Sequence, residues 1–406
     1  PILIIAAGVA LTVLLYSWLN GYKTLTISEN ARFNTGHVKV VTRAYSDMID
    51  QKPFDLGMLD LDETLTELKN DYPDMIWIAR IYFGGLLDIP NEKGETQTQG
   101  EVFGMGVDLF SNNIEKELLN LDMALVSGRL PEKSGEILIS DEVAKKLIRP
   151  GGNDNITIIG STMFGSIAMQ NFVFVGTVRF GVRALDRGAV IIDLADAQRM
   201  LDMENAAGEI LGFFPNYEYD EEATYTISSK FNEKYSDEND EFSLIMLPLR
   251  EQNNLDTMLM QVESRLGLIV FIFIFVMSLV LWNSGLMNGI RRYGEIGVRL
   301  AIGENKGHIY RSMIMESIFV GFVGSVIGTF IGLIISYYLQ YKGINISSLM
   351  KDISIIMSTT MKAQVDSTSY YIGFIPGFLA SVIGAMISGI GIYKRKTAQL
   401  FKELET

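Results

Sequence analysis

The sequence contains no cysteine and only two histidines among its 406 residues. Without cysteine the chain forms no disulfide and offers neither a thiol nucleophile nor cysteine ligands for zinc. His37 and His308 lie far apart and belong to no HExxH motif, so we expect no metal site. The sequence also lacks a GxxxxGK[ST] phosphate loop and a GxSxG nucleophile elbow. We therefore predict that the chain is not an enzyme, has no catalytic residues and binds no cofactor.

Basic residues are also scarce in the first two thirds of the chain. The net charge is −14, but residues 1–265 carry 22 basic and 41 acidic side chains, whereas residues 266–406 carry 12 and 7. Because binding to phosphates requires positive charge, the acidic part argues against a nucleic acid partner.

Long apolar runs are abundant, and four of them are long enough to cross a bilayer. We predict membrane spans at residues 1–20, 266–290, 312–338 and 370–393. The connection after the second span and the tail at 394–406 are rich in lysine and arginine, so both are predicted to face the cytoplasm. Both termini would then be cytoplasmic, with residues 21–265 and the loop 339–369 outside. Because the sequence begins inside an apolar run, we also expect residues upstream of Pro1.

The region between the first two spans has the pattern of an α+β domain. Short strand patterns such as Glu136–Ser140 alternate with short helix patterns such as Leu194–Leu201. The expected fold is therefore a membrane domain of four transmembrane helices plus a large α+β extracytoplasmic domain. We predict a helix at residues 60–70 capped by Asp60, and we interpret the acidic residues 218–222 as a solvated loop.

Small residues recur every four positions in the third and fourth spans. The stripes comprise Gly324, Gly328 and Gly332 in the third span and Gly373, Gly377 and Ser381 in the fourth. Such stripes let helix backbones approach closely, so we predict a helix–helix seam, either within one chain or between two chains. The alternative is that glycine is simply frequent in membrane helices, but the regular spacing favours the seam.

A short amphipathic helix is predicted in NGIRRYGEIGVRLAIG, residues 288–303, between the second and third spans. Arg291, Glu295 and Arg299 fall four residues apart and would form two ion-pair steps on one face. The other face carries small and apolar residues, namely Tyr293, Ile296, Gly297, Leu300 and Ala301. Gly303 is a suitable stop residue. The arginines place this helix at the cytoplasmic surface of the membrane.

The segment RRYGEIGVRLAIGENKGHIYRSMIMESIFVGFVGSVIG, residues 291–328, resembles the FtsX/MacB/LolC–LolE superfamily of ABC transporter permeases. That family has an R-x-x-E-I-G-[IV]-R-x-A-[LI]-G core, followed by a glycine-rich span that bears a glutamate. In the extracytoplasmic domain, SGRLP at 127–131 and GEILISDEVA at 135–144 are similar to a second run of the family. Residues 186–200, which end in DLADAQRM, resemble its LolC/LolE lipoprotein-releasing branch in particular.

The resemblance implies a permease subunit that works with a cytoplasmic ABC ATPase dimer, which uses ATP and Mg, and with a second permease copy or a related permease. Residues 291–303 would be the coupling helix seated in the ATPase. Its candidate contacts are Arg291, Arg292, Glu295, Ile296, Gly297, Arg299, Leu300 and Gly303. Adsorption to anionic lipid would explain the arginines but not the interleaved Glu295. Mechanical work would pass along the second span to a MacB-like periplasmic domain, with a porter part and an inserted subdomain at about residues 115–210.

The implied function is ATP-driven extraction of lipoproteins from the outer leaflet of the inner membrane by mechanotransmission, with transfer to a periplasmic carrier. Substrate would enter between the outer ends of the first and second spans, past Trp18, Leu266, Ile269, Val270 and Phe273. The alternative for these residues is simple contact with membrane lipid. A MacB-like efflux permease for peptides or antibiotics is the alternative function within the family. A non-transport membrane sensor or scaffold is the alternative outside it.

Overall fold

The computed structural model describes residues 1–91, 95–148, 155–180, 183–252, 254–291, 293–345 and 360–394. The chain divides into two compact units. Among the described residues, a helical unit contains 1–25, 260–345 and 360–394, and a sheet unit contains those of 26–259. Most of the predicted tail 394–406, and residues 346–359 of the predicted loop, lie outside the described residues.

The helices, in chain order, are α1 (Ile2–Asn30), α2 (Arg43–Asp47), α3 (Leu61–Asp71), α4 (Ile114–Leu118), α5 (Leu121–Ala124), α6 (Asp141–Leu147), α7 (Arg183–Gly188), α8 (Leu194–Leu201), α9 (Glu221–Tyr235), α10 (Leu255–Arg291), α11 (Tyr293–Ala301), α12 (Lys306–Lys342) and α13 (Phe374–Lys394). The strands are β1 (Val38–Thr42), β2 (Ile76–Pro90), β3 (Thr96–Val107), β4 (Leu125–Gly128), β5 (Glu136–Ser140), β6 (Asn155–Ser161), β7 (Ile167–Val178), β8 (Ala189–Asp193), β9 (Glu209–Phe213), β10 (Leu244–Pro248), β11 (Ile344–Asn345) and β12 (Thr360–Met361).

Four helical segments in the described residues are long and apolar enough to cross a membrane. They are Ile2–Thr35, Leu255–Asn283, Lys306–Lys342 and Ser367–Ile390, so each overlaps one of the four predicted spans. α10 is a single helix of 37 residues, about 55 Å long at 1.5 Å per residue. It therefore includes both the second span and the helical residues that precede it.

The sheet unit is built on a closed ring of strands. Strands β2, β3, β8, β5, β7 and β6 pair in that order, and β6 pairs again with β2. The β3–β8 and β5–β7 pairs are parallel, and the other pairs of the ring are antiparallel. β9, β1 and β10 extend the sheet from β2, and β4 joins it at β7. The predicted inserted part thus contributes strands that pair with β2 and β3 in the same sheet.

β5 is apolar along most of its length, without the usual alternation of polar and apolar residues, because both of its faces are covered. Ile137 and Ile139 belong to the larger apolar cluster, whereas Leu138 belongs to a second cluster on the opposite face. All three side chains are fully buried. Successive side chains of a strand point to opposite faces, so a strand that is covered on both sides needs a continuous apolar run.

The predicted fold class, four apolar spans and an α+β domain, is confirmed, but two local predictions were wrong. Asp60 does not cap α3, because its backbone is left-handed at φ 54° and its side chain makes no capping hydrogen bond. Residues 218–222 are not wholly a loop, since Glu221 and Glu222 form the first turn of α9. Asp220 caps that helix by accepting a hydrogen bond from the Ala223 N–H. Acidic side chains are favourable there because they oppose the positive end of the helix dipole.

Candidate functional site

The predicted coupling segment folds as α11, a short helix joined to α12 by a tight turn. Gly303 makes the turn at φ 96°, a left-handed conformation that a residue with a side chain rarely adopts. The N–H of Glu304 donates to the Arg299 carbonyl over 3.1 Å and so closes the end of α11. The Asn305 side chain then caps α12 by accepting from the Gly307 N–H at 3.0 Å.

One face of α11 is buried against α12. Ile296 and Ile309 are 5% and 1% exposed and form an apolar cluster with the half-buried Leu300 and Met313. Gly297 is buried as well. In water, burying an aliphatic side chain stabilises by about 1.5–3 kcal/mol, so this cluster fixes the orientation of α11 on α12. Ile296 and Gly297 are therefore covered within the chain, and their predicted contact with an ATPase stays a prediction.

The other face of α11 exposes apolar side chains that the sequence analysis did not select. Val298 on α11 and Ile302 in the turn directly after it are 48% and 80% exposed. The Ile302 N–H donates to the Val298 carbonyl over 3.1 Å, so the two residues follow each other by one helical turn. Glu295 is exposed too. We call Val298 and Ile302 the exposed ridge of α11. The sequence contains a signal for this ridge that was missed. Val298 and Ile302 lie two residues after Ile296 and Leu300, respectively, and so form a second apolar stripe.

Of the predicted ladder of Arg291, Glu295 and Arg299, the last two residues lie on α11. Arg291 is the last residue of α10, and Arg292 lies outside the described residues. Arg299 makes a bidentate ion pair with Glu304, with N–O distances of 2.7 and 2.8 Å. The turn at Gly303 brings Glu304 back over the last turn of α11, which a straight helix would not do. This pair ties the end of the helix to the turn.

The glycine stripes of the third and fourth spans face α1 of the same chain. A Cβ atom built at Gly324 would lie 2.9 Å from Ile5 Cβ, and one at Gly332 would lie 2.9 Å from Val13 Cβ. A Cβ at Gly328 would lie 2.5 Å from the Ala6 carbonyl oxygen. Such separations are too short for a methyl group, so glycine is what lets the two backbones approach.

The fourth span contacts the same helix and the third span. A Cβ atom built at Gly373 would lie 2.9 Å from the Val9 carbonyl oxygen, and one at Gly377 would contact the Val9 side chain. Ser381 lies against Gly321 of α12, and its carbonyl oxygen accepts a hydrogen bond from the Ser317 hydroxyl at 3.0 Å. In this structure the predicted packing residues therefore meet within one chain.

A strap that the sequence analysis missed runs along the later part of the predicted first span. The N–H of Gln364 donates to the Ser17 carbonyl over 2.9 Å, and the Tyr16 hydroxyl donates to Asp366 over 2.8 Å. Gly21 permits contact with the Lys362 carbonyl, since any Cβ at this position would overlap that oxygen. These contacts hold α1 against the segment that leads into α13.

The residues predicted to line substrate access lie on two helices. Trp18 is half-buried on α1, and the others lie on α10, where Ile269 is exposed and Leu266, Val270 and Phe273 are half-buried. Directly beyond them, Lys23 on α1 pairs with Glu263 on α10 over 2.8 Å. α10 is also the span least covered by protein. Only 6% of the apolar segment of α10 is buried, compared with 39% of that of α1. The structure thus adds an ion pair next to the predicted access residues.

The sheet unit also presents an exposed apolar hairpin. Phe164, in the turn between β6 and β7, is exposed, and so are Ile167 and Met169 on β7. Along β7, exposed positions alternate with the buried Ala168 and Phe172, as expected for a strand with one face toward the core. A cluster of exposed apolar side chains of this kind is typical of a contact surface.

Comparison with known proteins finds a family model that matches the last part of the chain. Residues 267–397, which include α11 and the third and fourth spans, match the FtsX-like permease C-terminal domain. Residues 267–397 are therefore similar to the C-terminal domain of FtsX-like permeases. The matched residues include the segment in which the coupling helix is predicted.

Curated proteins that are similar to this chain include three from bacteria. The macrolide export ATP-binding/permease protein MacB of Mannheimia succiniciproducens is 29% identical over 150 residues, 35% of this chain and 22% of MacB. The ABC transporter permease YtrF of Bacillus subtilis is 28% identical over 130 residues, 32% of this chain and 28% of YtrF. The lipoprotein-releasing system transmembrane protein LolC of Xylella fastidiosa is 21% identical over 214 residues, 51% of this chain and 50% of LolC. The chain therefore matches half or less of the length of each of these relatives.

Among solved structures, the periplasmic region of MacB from Actinobacillus actinomycetemcomitans matches with a TM-score of 0.37 and 13% identity. The match covers 59% of this chain and 98% of the MacB chain.

Proposed function

We propose that this chain is an FtsX-like permease, the transmembrane subunit of an ATP-driven ABC complex in the inner membrane, with both termini in the cytoplasm and the sheet unit in the periplasm. The complex extracts lipoproteins from the outer leaflet by mechanotransmission and passes them to a periplasmic carrier. The observation that carries the proposal is α11, which is fixed to α12 by one face and exposes an apolar ridge on the other. A helix built in this way can receive force from another subunit without changing its place on the permease.

The proposed partner on the cytoplasmic side is an ABC ATPase dimer, which uses ATP and Mg. Val298 and Ile302 give apolar area to that contact, and Glu295 adds a charge that selects orientation. Arg299 acts indirectly, because its ion pair with Glu304 holds the end of α11. A second permease copy, or a related permease, completes the complex.

Force would travel along α10, the long helix that precedes α11 in the chain. A continuous helix transmits displacement along its axis better than a loop, because every turn is held by backbone hydrogen bonds. The low coverage of α10 by other helices of the chain fits a part that moves. Lipoprotein would enter between α1 and α10, beside the ion pair of Lys23 and Glu263.

The choice of lipoprotein as cargo is supported by the extent of the similarity to LolC, which covers 51% of this chain, compared with 35% for MacB. The exposed hairpin with Phe164 and Ile167 offers a contact for the carrier. The higher identity to MacB, 29%, favours the second candidate, an efflux permease for peptides or antibiotics. The two functions differ in cargo but share the coupling at α11.

Two matched substitutions test the proposal in a complex purified with its native ATPase and reconstituted in lipid. Ile302 and Ile167 are 80% and 81% exposed, so Ile302→Asp and Ile167→Asp introduce the same charge at similarly exposed sites. We expect Ile302→Asp to abolish stimulation of ATP hydrolysis by lipoprotein, and Ile167→Asp to leave it unchanged but to reduce transfer to the carrier. Equal effects of both substitutions on ATP hydrolysis would contradict the coupling role. Stimulation by a macrolide, but not by lipoprotein, would favour the efflux function.

A further inference from the structure

The sheet unit contains a pocket of about 260 Å³ that the transport proposal does not use. Its walls come from the end of α1, the end of α4, and β9 with the turn that follows. The lining residues are Ser28, Ala31, Arg32, His37, Glu117, Leu118, Phe213 and Tyr217. The lining combines polar and apolar side chains, which is typical of a pocket that orients a small group.

Two unusual backbone conformations meet at this pocket. The helix turn Ala31–Thr35 is a π-helix, closed by a hydrogen bond of 2.8 Å from the Gly36 N–H to the Ala31 carbonyl. Tyr217 has a left-handed backbone with φ 54°, although it is not a glycine. Both conformations are uncommon and are often found at functional sites. Their coincidence at one cavity is a second reason to consider it a binding site.

His37 supplies a fixed hydrogen-bond donor at the pocket. Its Nδ1 atom accepts a hydrogen bond from the Phe214 N–H at 3.1 Å, so the proton of the neutral ring lies on Nε2. Burial lowers the pKa of His37 to about 4, so the ring is neutral at physiological pH. The rings of Phe213 and Phe214, with centroids 5.4 and 5.2 Å away, hold the imidazole in place. In the described residues, Nε2 donates to no protein group.

The charges around the pocket select against an anion. Arg32 is already engaged, since its Nε donates to the Leu118 carbonyl at 2.6 Å and its Nη1 pairs with Glu29 at 3.3 Å. Glu117 adds a second carboxylate, which leaves the surroundings of the pocket with more negative than positive charge. A neutral group that can both accept a hydrogen bond from His37 and donate one to Glu117 fits this arrangement. An amide does both, whereas an ester can only accept.

We propose that this pocket binds a polypeptide segment by one peptide amide, with the carbonyl oxygen on His37 Nε2 and an adjacent apolar side chain against Phe213 and Leu118. The Tyr217 ring closes one side of the site. A volume of about 260 Å³ accommodates one amino-acid side chain with its amide rather than a folded domain. The site lies in the sheet unit, so it recognises polypeptide independently of the coupling at α11.

The test uses the full chain in lipid nanodiscs and the probe N-acetyl-leucinamide, with binding measured by saturation-transfer NMR. We expect saturable binding, and weaker binding of N-acetyl-leucinate, which is an anion, and of methyl hexanoate, which is an ester without a donor. His37→Phe keeps an aromatic ring but removes the donor, so the affinity should fall about two- to tenfold. His308→Phe is the matched control and should leave the affinity unchanged.

Ser28→Leu provides a second variant, because it fills the pocket from a half-buried helical position and does not disturb the core. We expect this substitution to abolish binding of the amide probe. Three results would overturn the proposal: no saturable binding of N-acetyl-leucinamide, equal affinity in the parent chain and Ser28→Leu, or binding of the ester as tight as that of the amide. The last result would assign the pocket to a lipid. Retained ATPase coupling in both variants distinguishes failure of this site from failure of the transport proposal.

Discussion

A single methyl group at Gly328 tests the close approach of α1 and α12. The Cβ of Gly328→Ala would lie 2.5 Å from the Ala6 carbonyl oxygen and 2.8 Å from Val9 Cβ. Since such atoms are normally at least about 3.5 Å apart, the helices must separate by on the order of 1 Å. Overpacking of this kind costs about 1–3 kcal/mol.

Gly267→Ala is the matched control, because Gly267 lies in α10 and a Cβ there meets no atom within 4 Å. Both substitutions gain the same helix propensity, about 0.8–1.0 kcal/mol in water, so their difference isolates the packing. We expect Gly328→Ala to be less stable than Gly267→Ala by about 1–3 kcal/mol, measured by reversible unfolding in mixed micelles with circular dichroism. If Gly328→Ala is as stable as Gly267→Ala, the seam is not as tight as the structure indicates.

Two further predictions concern charged pairs. Lys23→Glu reverses one charge of the pair with Glu263 and should broaden the distribution of distances between spin labels at the outer ends of α1 and α10. The double substitution Lys23→Glu/Glu263→Lys should restore the narrow distribution. The same distance distribution in the single and the double variant would count against the pair. Hydrogen bonds from Arg129 lower the pKa of Glu136 from 4.5 to about 2, so the ionised carboxylate stabilises the fold above its ordinary pKa, and this contribution is lost as the pH falls toward 2. Glu136→Gln should therefore lower the denaturation midpoint at pH 7, with a difference from the parent chain that vanishes near pH 2; a difference that persists at pH 2 would refute the assignment.

Most of the architecture could be predicted because its signals are strong and local. The four spans are long apolar runs, and strands such as β5 are short apolar runs bounded by turns. α9 was missed because its buried residues, Thr224, Ser228 and Phe231, include only one large apolar side chain. The pattern therefore lacks the apolar stripe by which a surface helix is recognised. The closed ring of strands depends on pairings distant in sequence, such as β2 with β6, which no local pattern contains.

At the candidate site, the sequence identified α11 but did not determine which of its faces is covered. Both faces carry apolar residues, and only the position of α12 decides that Ile296 is buried while Ile302 is exposed. Spacing predicted a pair between Glu295 and Arg299, whereas the turn at Gly303 brings Glu304 to Arg299 instead. The strap at Gln364 was invisible for a related reason, since it binds α1 through backbone atoms that every residue possesses.

The most direct test of the account asks what contacts the exposed ridge of α11 in native membranes. Because the chain contains no cysteine, Ile302→Cys introduces its only thiol, to which a maleimide–benzophenone cross-linker can be attached. We predict a light-dependent adduct with an ABC ATPase subunit, identified by mass spectrometry, and protection of the thiol from a membrane-impermeant maleimide added outside. Labelling of Ile302→Cys from the outside, without any adduct to an ATPase, would contradict the central claim.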